Sequence, residues 1–64
     1  MNAANANKYN VVLCYAFCPD IRTWITFRNL ETFQEWWRNV QQFHGIHEIV
    51  AEGITTDQAQ RLIE

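Results

Sequence analysis

Residues 30–43, LETFQEWWRNVQQF, decide the fold because their apolar side chains recur every three or four residues. The apolar members of this stretch are Leu30, Phe33, Trp36, Trp37, Val40 and Phe43. Their spacing predicts an amphipathic helix over residues 30–43 that packs its aromatic face on the core. Asn29 is a suitable N-cap, and Gly45 stands where a left-handed residue commonly follows a helix.

Two stretches before this helix have the composition of β-strands. Residues 9–17, YNVVLCYAF, are apolar on both alternating sides, which is typical of a strand buried on both faces. A turn containing Pro19 and Asp20 follows, and residues 21–27 alternate as a second strand. The predicted core side of the second strand holds Ile21, Thr23, Ile25 and Phe27, and its outer side holds Arg22, Trp24, Thr26 and Arg28.

Two weaker elements are predicted after the helix. Residues 46–52, IHEIVAE, have the composition of an edge strand, which Gly53 ends. A short C-terminal helix follows, with Thr55 as its N-cap and Gln58 at the capping-box position. The order ββαβα predicts an α+β fold, in which a three-stranded antiparallel sheet of order 3-1-2 is packed by the main amphipathic helix and the short C-terminal helix. Whether the C-terminal helix or a second copy of the protein covers the other face of the sheet stays open.

The length and composition of the chain predict residues 9–64 as a single small domain and residues 1–8 as a disordered N-terminal tail. A core of this size rarely contributes more than roughly 3–5 kcal/mol, and the aromatic-rich composition can leave apolar surface for a partner. The N-terminus lacks the apolar run of a signal peptide, and no stretch approaches the ~20 apolar residues of a membrane span. A cytoplasmic location with free thiols is therefore expected.

The formal net charge of −2 argues against a general role in binding nucleic acid or membrane surfaces. The charges are unevenly distributed, because residues 8–28 carry Lys8, Arg22 and Arg28 against Asp20 alone, whereas the remainder is mostly acidic. Such a division can steer a partner, or it can reflect chance in a short chain.

Four residues are of the types that bind zinc, namely Cys14, Cys18, His44 and His47. On one extended strand the two cysteines would lie about 13 Å apart, which is too far for a single ion. We therefore expect no metal and no cofactor, and keep a small zinc-binding domain as an alternative.

No enzyme is expected either. Cys18 could pair with His44 or His47, but the helix end near them is a C-terminus, which does not lower the pKa of a thiol. The chain contains no serine and only two glycines, which excludes a serine nucleophile and a glycine-rich phosphate loop. We therefore expect a non-catalytic role.

The outer stripe of the second strand, Arg22, Trp24, Thr26 and Arg28, is the predicted partner-binding surface. Tryptophan and arginine are typical of protein-interface hot spots. The same residues could bind single-stranded nucleic acid, or neighbouring structure could cover Trp24. A second surface, consisting of Trp36, Trp37, Val12 and Cys14, is predicted as a dimer interface.

The sequence thus predicts a small cytoplasmic protein-binding module of the regulator, adaptor or inhibitor type, acting as a homodimer. A nucleic-acid-associated regulator that uses the Arg/Trp stripe is the alternative. Membrane binding is not expected. Phage accessory proteins are often of this length, but no residue of the chain bears on that origin.

Overall fold

The structure is a computed structural model that describes residues 8–64. The predicted tail, residues 1–8, lies outside the described residues apart from Lys8. The elements are β1 (Tyr9–Tyr15), β2 (Thr23–Phe27), α1 (Leu30–Gln41), β3 (Ile46–Ile54) and α2 (Thr56–Ile63). The strands form an antiparallel sheet of order β2-β1-β3. The predicted α+β fold and its strand order are confirmed.

One face of the sheet packs against α1. Val11 and Leu13 of β1 are fully buried and form the core with Phe27 of β2 and Phe33 of α1. The partly buried residues packed around this core are Tyr9, Tyr15, Ile25, Trp36, Trp37, Ile46 and Ile49. Asn29 begins the helix as predicted, because its side-chain oxygen accepts a hydrogen bond from the backbone N–H of Thr32 at 2.8 Å.

The opposite face of the sheet packs against α2, which contacts all three strands. Val12 and Cys14 alternate with Val11 and Leu13 along β1 and are 0% and 5% exposed. Ala59 of α2 is also fully buried. The sequence left open whether the C-terminal helix or a second copy covers this face, and in the structure the C-terminal helix of the same chain covers it.

The start of α2 is a complete capping box. The hydroxyl oxygen of Thr55 accepts a hydrogen bond from the backbone N–H of Gln58 at 3.1 Å, and the side-chain oxygen of Gln58 accepts one from the backbone N–H of Thr55 at 3.0 Å. These two bonds satisfy N–H groups that the first turn of a helix leaves unpaired. The predicted cap is confirmed.

The side chains of β3 do not alternate regularly between the two faces of the sheet, because three register shifts interrupt the pairing of β3 with β1. Each shift inserts an unpaired residue, so residues three apart can return to the same face. Ile46 and Ile49, for example, both pack on the core beneath α1. Gly53 lies at one of these shifts with φ 67, and the strand continues to Ile54 instead of ending at Gly53. A left-handed residue is tolerated there because glycine has no side chain.

Three apolar residues that were predicted for the core lie beyond the ends of their elements. β1 ends before Phe17, β2 begins after Ile21, and α1 ends before Phe43. These side chains are 83%, 59% and 78% exposed, respectively. Their assignment to the core was wrong because the apolar period continues in the sequence past the points at which the backbone turns.

The left-handed residue after α1 is His44, with φ 52, and not Gly45. The backbone N–H groups of Phe43 and Gly45 both donate to the carbonyl of Val40, and that of His44 donates to the carbonyl of Gln41. These bonds tighten the last turn of the helix, so the chain reverses direction one residue earlier than predicted.

Candidate protein-binding surface

Phe17, Ile21 and Phe43 are the most exposed large apolar residues in the described part of the chain. We call these three residues the end patch. The backbone N–H of Ala16 donates to the carbonyl of Gly45 at 2.9 Å, which joins the loop after β1 to the loop after α1. The three side chains therefore belong to the same end of the domain.

The loop that carries Phe17 and Ile21 is held in a defined conformation. The backbone N–H of Cys18 donates to the carbonyl of Tyr15 at 3.1 Å, and that of Ile21 donates to the carbonyl of Cys18 at 3.1 Å. The ring of Phe17 stacks on Tyr15, with 5.4 Å between the ring centroids. Its exposed face is thus presented from an ordered turn, which lowers the entropy lost when a partner binds.

The exposed areas of the three residues of the end patch sum to on the order of 400 Å², given that a large aromatic side chain offers about 150–250 Å². The largest apolar patch of a typical monomeric protein is about 300–600 Å² and is often functional. The end patch is therefore large enough to contribute the apolar centre of a protein contact.

The stripe predicted for partner binding lies along β2, but most of its side chains make contacts within the fold. The Arg22 guanidinium donates through Nη1 to the carbonyl of Leu62, 2.9 Å away, near the C-terminus of α2. Trp24 is half-buried, and its indole Nε1 donates to Oδ1 of Asn10 at 3.3 Å. The hydroxyl of Thr26 donates to the same oxygen at 2.8 Å. The half-buried position of Trp24 therefore agrees with the alternative that neighbouring structure covers this residue.

Arg28 differs from the other residues of the stripe. It is exposed, and within residues 8–64 its guanidinium has neither a hydrogen-bond partner nor an ion-pair partner. Arg28 is therefore the member of the stripe whose charge is fully available to a ligand.

Asn10 is a buried polar residue that the sequence analysis did not single out. It is 7% exposed, and its Nδ2 donates to the carbonyl of Ile54 at 2.9 Å. Together with the bonds from Trp24 and Thr26, this contact links β2, β1 and β3 on the face that α2 covers. The available signal was a single amide in an otherwise apolar strand, because a buried amide needs several hydrogen-bond partners.

The residues predicted for a dimer interface are all used inside the chain. Trp36 packs with its ring centroid 5.1 Å from that of Phe27, and Trp37 packs 6.4 Å from Phe33. Val12 and Cys14 are buried on the face that α2 covers. Val12 and Cys14 therefore offer almost no surface to a second chain, and the two tryptophans are half-buried.

The candidate metal ligands are spread over different environments. Cys14 is buried in β1 and Cys18 is half-buried in the following loop, and both are free thiols. His44 and His47 are exposed. Among residues 8–64, no group of three or more histidine, cysteine or acidic side chains could hold a metal ion. The described residues also contain no hydrogen bond from Cys18 to either histidine, so a thiol–imidazole pair is not assembled.

An open cavity of about 550 Å³ lies beside the start of α2. It is lined by Lys8, Tyr9, Asn10, Gly53, Ile54, Thr55 and Thr56. The polar side chains of Asn10 and Thr55 are already engaged in the bonds described above. The hydroxyl of Tyr9 donates to Oε1 of Glu52 at 2.7 Å, and this bond raises the pKa of Tyr9 to about 12. The phenol is therefore protonated near neutral pH.

Comparison with known proteins gives no match: no family model, no curated protein and no solved structure is significantly similar to this chain. Within the described range, neither α1 nor α2 is long and apolar enough to cross a membrane.

Proposed function

We propose that this protein is a small non-catalytic protein-binding module of the regulator, adaptor or inhibitor type, and that the end patch is its contact surface. The supporting observation is the exposure of Phe17 and Phe43, 83% and 78%, on two loops that a backbone hydrogen bond joins. Aromatic side chains near the centre of an interface contribute much of its binding energy. The proposal includes the cytoplasmic location that the sequence suggested.

A protein partner is better supported than nucleic acid. Binding to phosphates needs several cations on one surface, together with stacking aromatic faces. Here the stripe has only two cations, Arg22 and Arg28, the indole of Trp24 is half-buried, and the net charge of the chain is −2. The nucleic-acid alternative then depends on these two cations, and the zinc alternative lacks an assembled ligand set among the described residues.

The homodimer stays a prediction. A stable interface usually buries about 800 Å² on each partner, which is roughly twice the area of the end patch. The end patch alone is therefore too small for a stable interface with a second copy or with a different protein, so any partner has to contact the surface around it as well. Sedimentation velocity over a range of concentrations measures the oligomeric state directly.

The experiment that tests the proposal compares partner capture by three forms of the full chain. These forms are the wild type, the double variant Phe17→Ala/Phe43→Ala, and Ile63→Ala as the control for a partly exposed apolar residue outside the end patch. We expect the double variant to capture at least about tenfold less of a protein that the wild type and the control both retain.

The double variant should keep the stability of the wild type to within about 1 kcal/mol, because Phe17 and Phe43 are 83% and 78% exposed. Ile63→Ala should lose about 1–2 kcal/mol, because Ile63 is only 38% exposed, so the control is at least as destabilised as the double variant. A loss of capture can then be assigned to the surface and not to unfolding. Equal capture of the same proteins by all three forms would show that the end patch is not the contact surface.

A further inference from the structure

The outer edge of β2 is free to pair with another extended chain. β2 joins β1 with a regular register over Thr23–Phe27, and within residues 8–64 no backbone group is bonded to its other side. Its sequence, TWITF, contains no charge and no proline. An edge strand without charges or proline can accept a further strand from a partner.

The other edge of the sheet is protected. β3 has three register shifts, a left-handed glycine at position 53, and two acidic residues, Glu48 and Glu52. Bulges and charges of this kind twist an edge and discourage strand addition. Of the two edges, β2 is therefore the suitable template.

Arginines flank the free edge at both ends. Arg22 immediately precedes β2 and Arg28 immediately follows it, a separation of six residues or about 20 Å along an extended strand. Arg28 has no partner in the described part of the chain, and Arg22 donates to a neutral carbonyl that leaves its charge uncompensated. An added strand with a carboxylate near each end would match both charges.

A second copy of the chain fits this edge poorly. If two β2 strands paired antiparallel about a two-fold axis at Ile25, each Arg22 would lie opposite the Arg28 of the other copy. Like charges directly opposite each other destabilise a strand pair. The arginines therefore disfavour a homodimer in this register and favour an acidic partner.

We propose that the free edge of β2 binds an extended acidic segment of another protein, which adds to the sheet as a fourth strand and places carboxylates six residues apart beside Arg22 and Arg28. This inference rests on the proposed function and names the chemistry of the partner. Ile21 of the end patch directly precedes Arg22, so a bound segment that continues past Thr23 reaches the end patch. The edge and the end patch then form one continuous surface.

The test begins with selection of binders from a displayed library of random peptides of about twelve residues, using the full chain as the target. Enriched peptides are expected to share two acidic residues six positions apart, with β-forming residues between them. Their affinity is then measured by fluorescence anisotropy against the wild type, Arg28→Glu and Arg38→Glu. Arg38 is the matched control because it is also exposed and lies on α1, away from the strand edge.

Arg28→Glu should weaken binding by at least about tenfold, whereas Arg38→Glu should change it by less than about twofold. A peptide in which lysine replaces the matching acid should regain affinity for Arg28→Glu. Backbone pairing has its own readout, because the outward amides of β2 should exchange more slowly with solvent in the complex. Contact through side chains alone would leave this exchange unchanged.

The inference is overturned if the enriched peptides lack the acidic pair, if Arg28→Glu binds them as tightly as the wild type, or if amide exchange in β2 does not slow. Peptides that are sensitive to Phe17→Ala/Phe43→Ala but not to Arg28→Glu would refute the strand addition and leave the proposed function standing. The capture experiment tests the proposed function separately: that function fails if Phe17→Ala/Phe43→Ala captures the same proteins as the wild type.

Discussion

Replacing Asn10 with alanine should remove a large part of the stability of the domain. Asn10 is 7% exposed and makes three hydrogen bonds, one to the carbonyl of Ile54 and two from the side chains of Thr26 and Trp24. The substitution Asn10→Ala deletes all three bonds at once. It also leaves the Ile54 carbonyl and the Trp24 indole without these side-chain partners.

The size of the effect follows from these contacts. A typical hydrogen bond contributes about 0.5–1.5 kcal/mol net, and the bond from Trp24 is the longest of the three at 3.3 Å. Thr26 is exposed, so its hydroxyl can bond to water in the variant. We therefore expect Asn10→Ala to lower the free energy of unfolding by about 2–3 kcal/mol, compared with the roughly 3–5 kcal/mol that a core of this size provides.

Urea unfolding, followed by tryptophan fluorescence, measures this change. Asn39→Ala is the matched control, since Asn39 lies exposed on α1 and has no side-chain hydrogen bond among the described residues. The control should stay within about 0.5 kcal/mol of the wild type. If Asn10→Ala also falls within that margin, the buried amide does not link the strands energetically, and the reasoning from its three bonds is refuted.

Three further predictions concern the backbone and one titrating group. Gly53→Ala should destabilise the domain by about 1–2 kcal/mol, because alanine is strained in the left-handed conformation of Gly53. The loss should be larger still because the added Cβ would lie 3.1 Å from the Tyr9 ring. Thermal unfolding measures the change, and an unchanged melting temperature would show that the bulge relaxes around the alanine. His44→Gly should stabilise the domain by roughly 0.5–1 kcal/mol, because His44 holds a left-handed conformation that glycine adopts without strain. An unchanged melting temperature would contradict this prediction. The hydrogen bond to Glu52 raises the pKa of Tyr9 from 10.0 to about 12, so its contribution to stability is complete below pH 10 and is lost as the pH rises through about 12. An absorbance titration of the phenolate in a Tyr15→Phe background should show the pKa of Tyr9 falling towards 10 in Glu52→Ala, and an unchanged titration would remove Glu52 as the cause.

Features that depend on near neighbours in the chain were predictable. The apolar spacing of α1, the Asn29 cap and the capping box of Thr55 and Gln58 all act within about one helical turn, so the residues that form them are adjacent in the sequence. The strand order was also accessible, because a strand that is apolar on both sides belongs in the middle of a sheet.

The candidate site was predicted less well, because exposure depends on where each element stops. Phe17 and Phe43 continue an apolar period and differ from core residues only in lying past the last residue of β1 or α1. Trp24 shows the reverse case: its position on an outer stripe suggested a free surface, but α2 and Asn10 engage that side of β2. Neither outcome can be derived from the residue types alone.

The sequence by itself determined the elements and their order, because helix periodicity, strand alternation and capping are local properties. Tertiary structure decided that α2, and not a second chain, covers the Val12 face, that β3 is bulged, and that one edge and one end of the domain stay open. The first two of these features depend on residues more than thirty positions apart, such as Asn10 and Ile54, which meet only when the chain has folded. The surfaces left for a partner are the apolar and charged groups that this packing did not use.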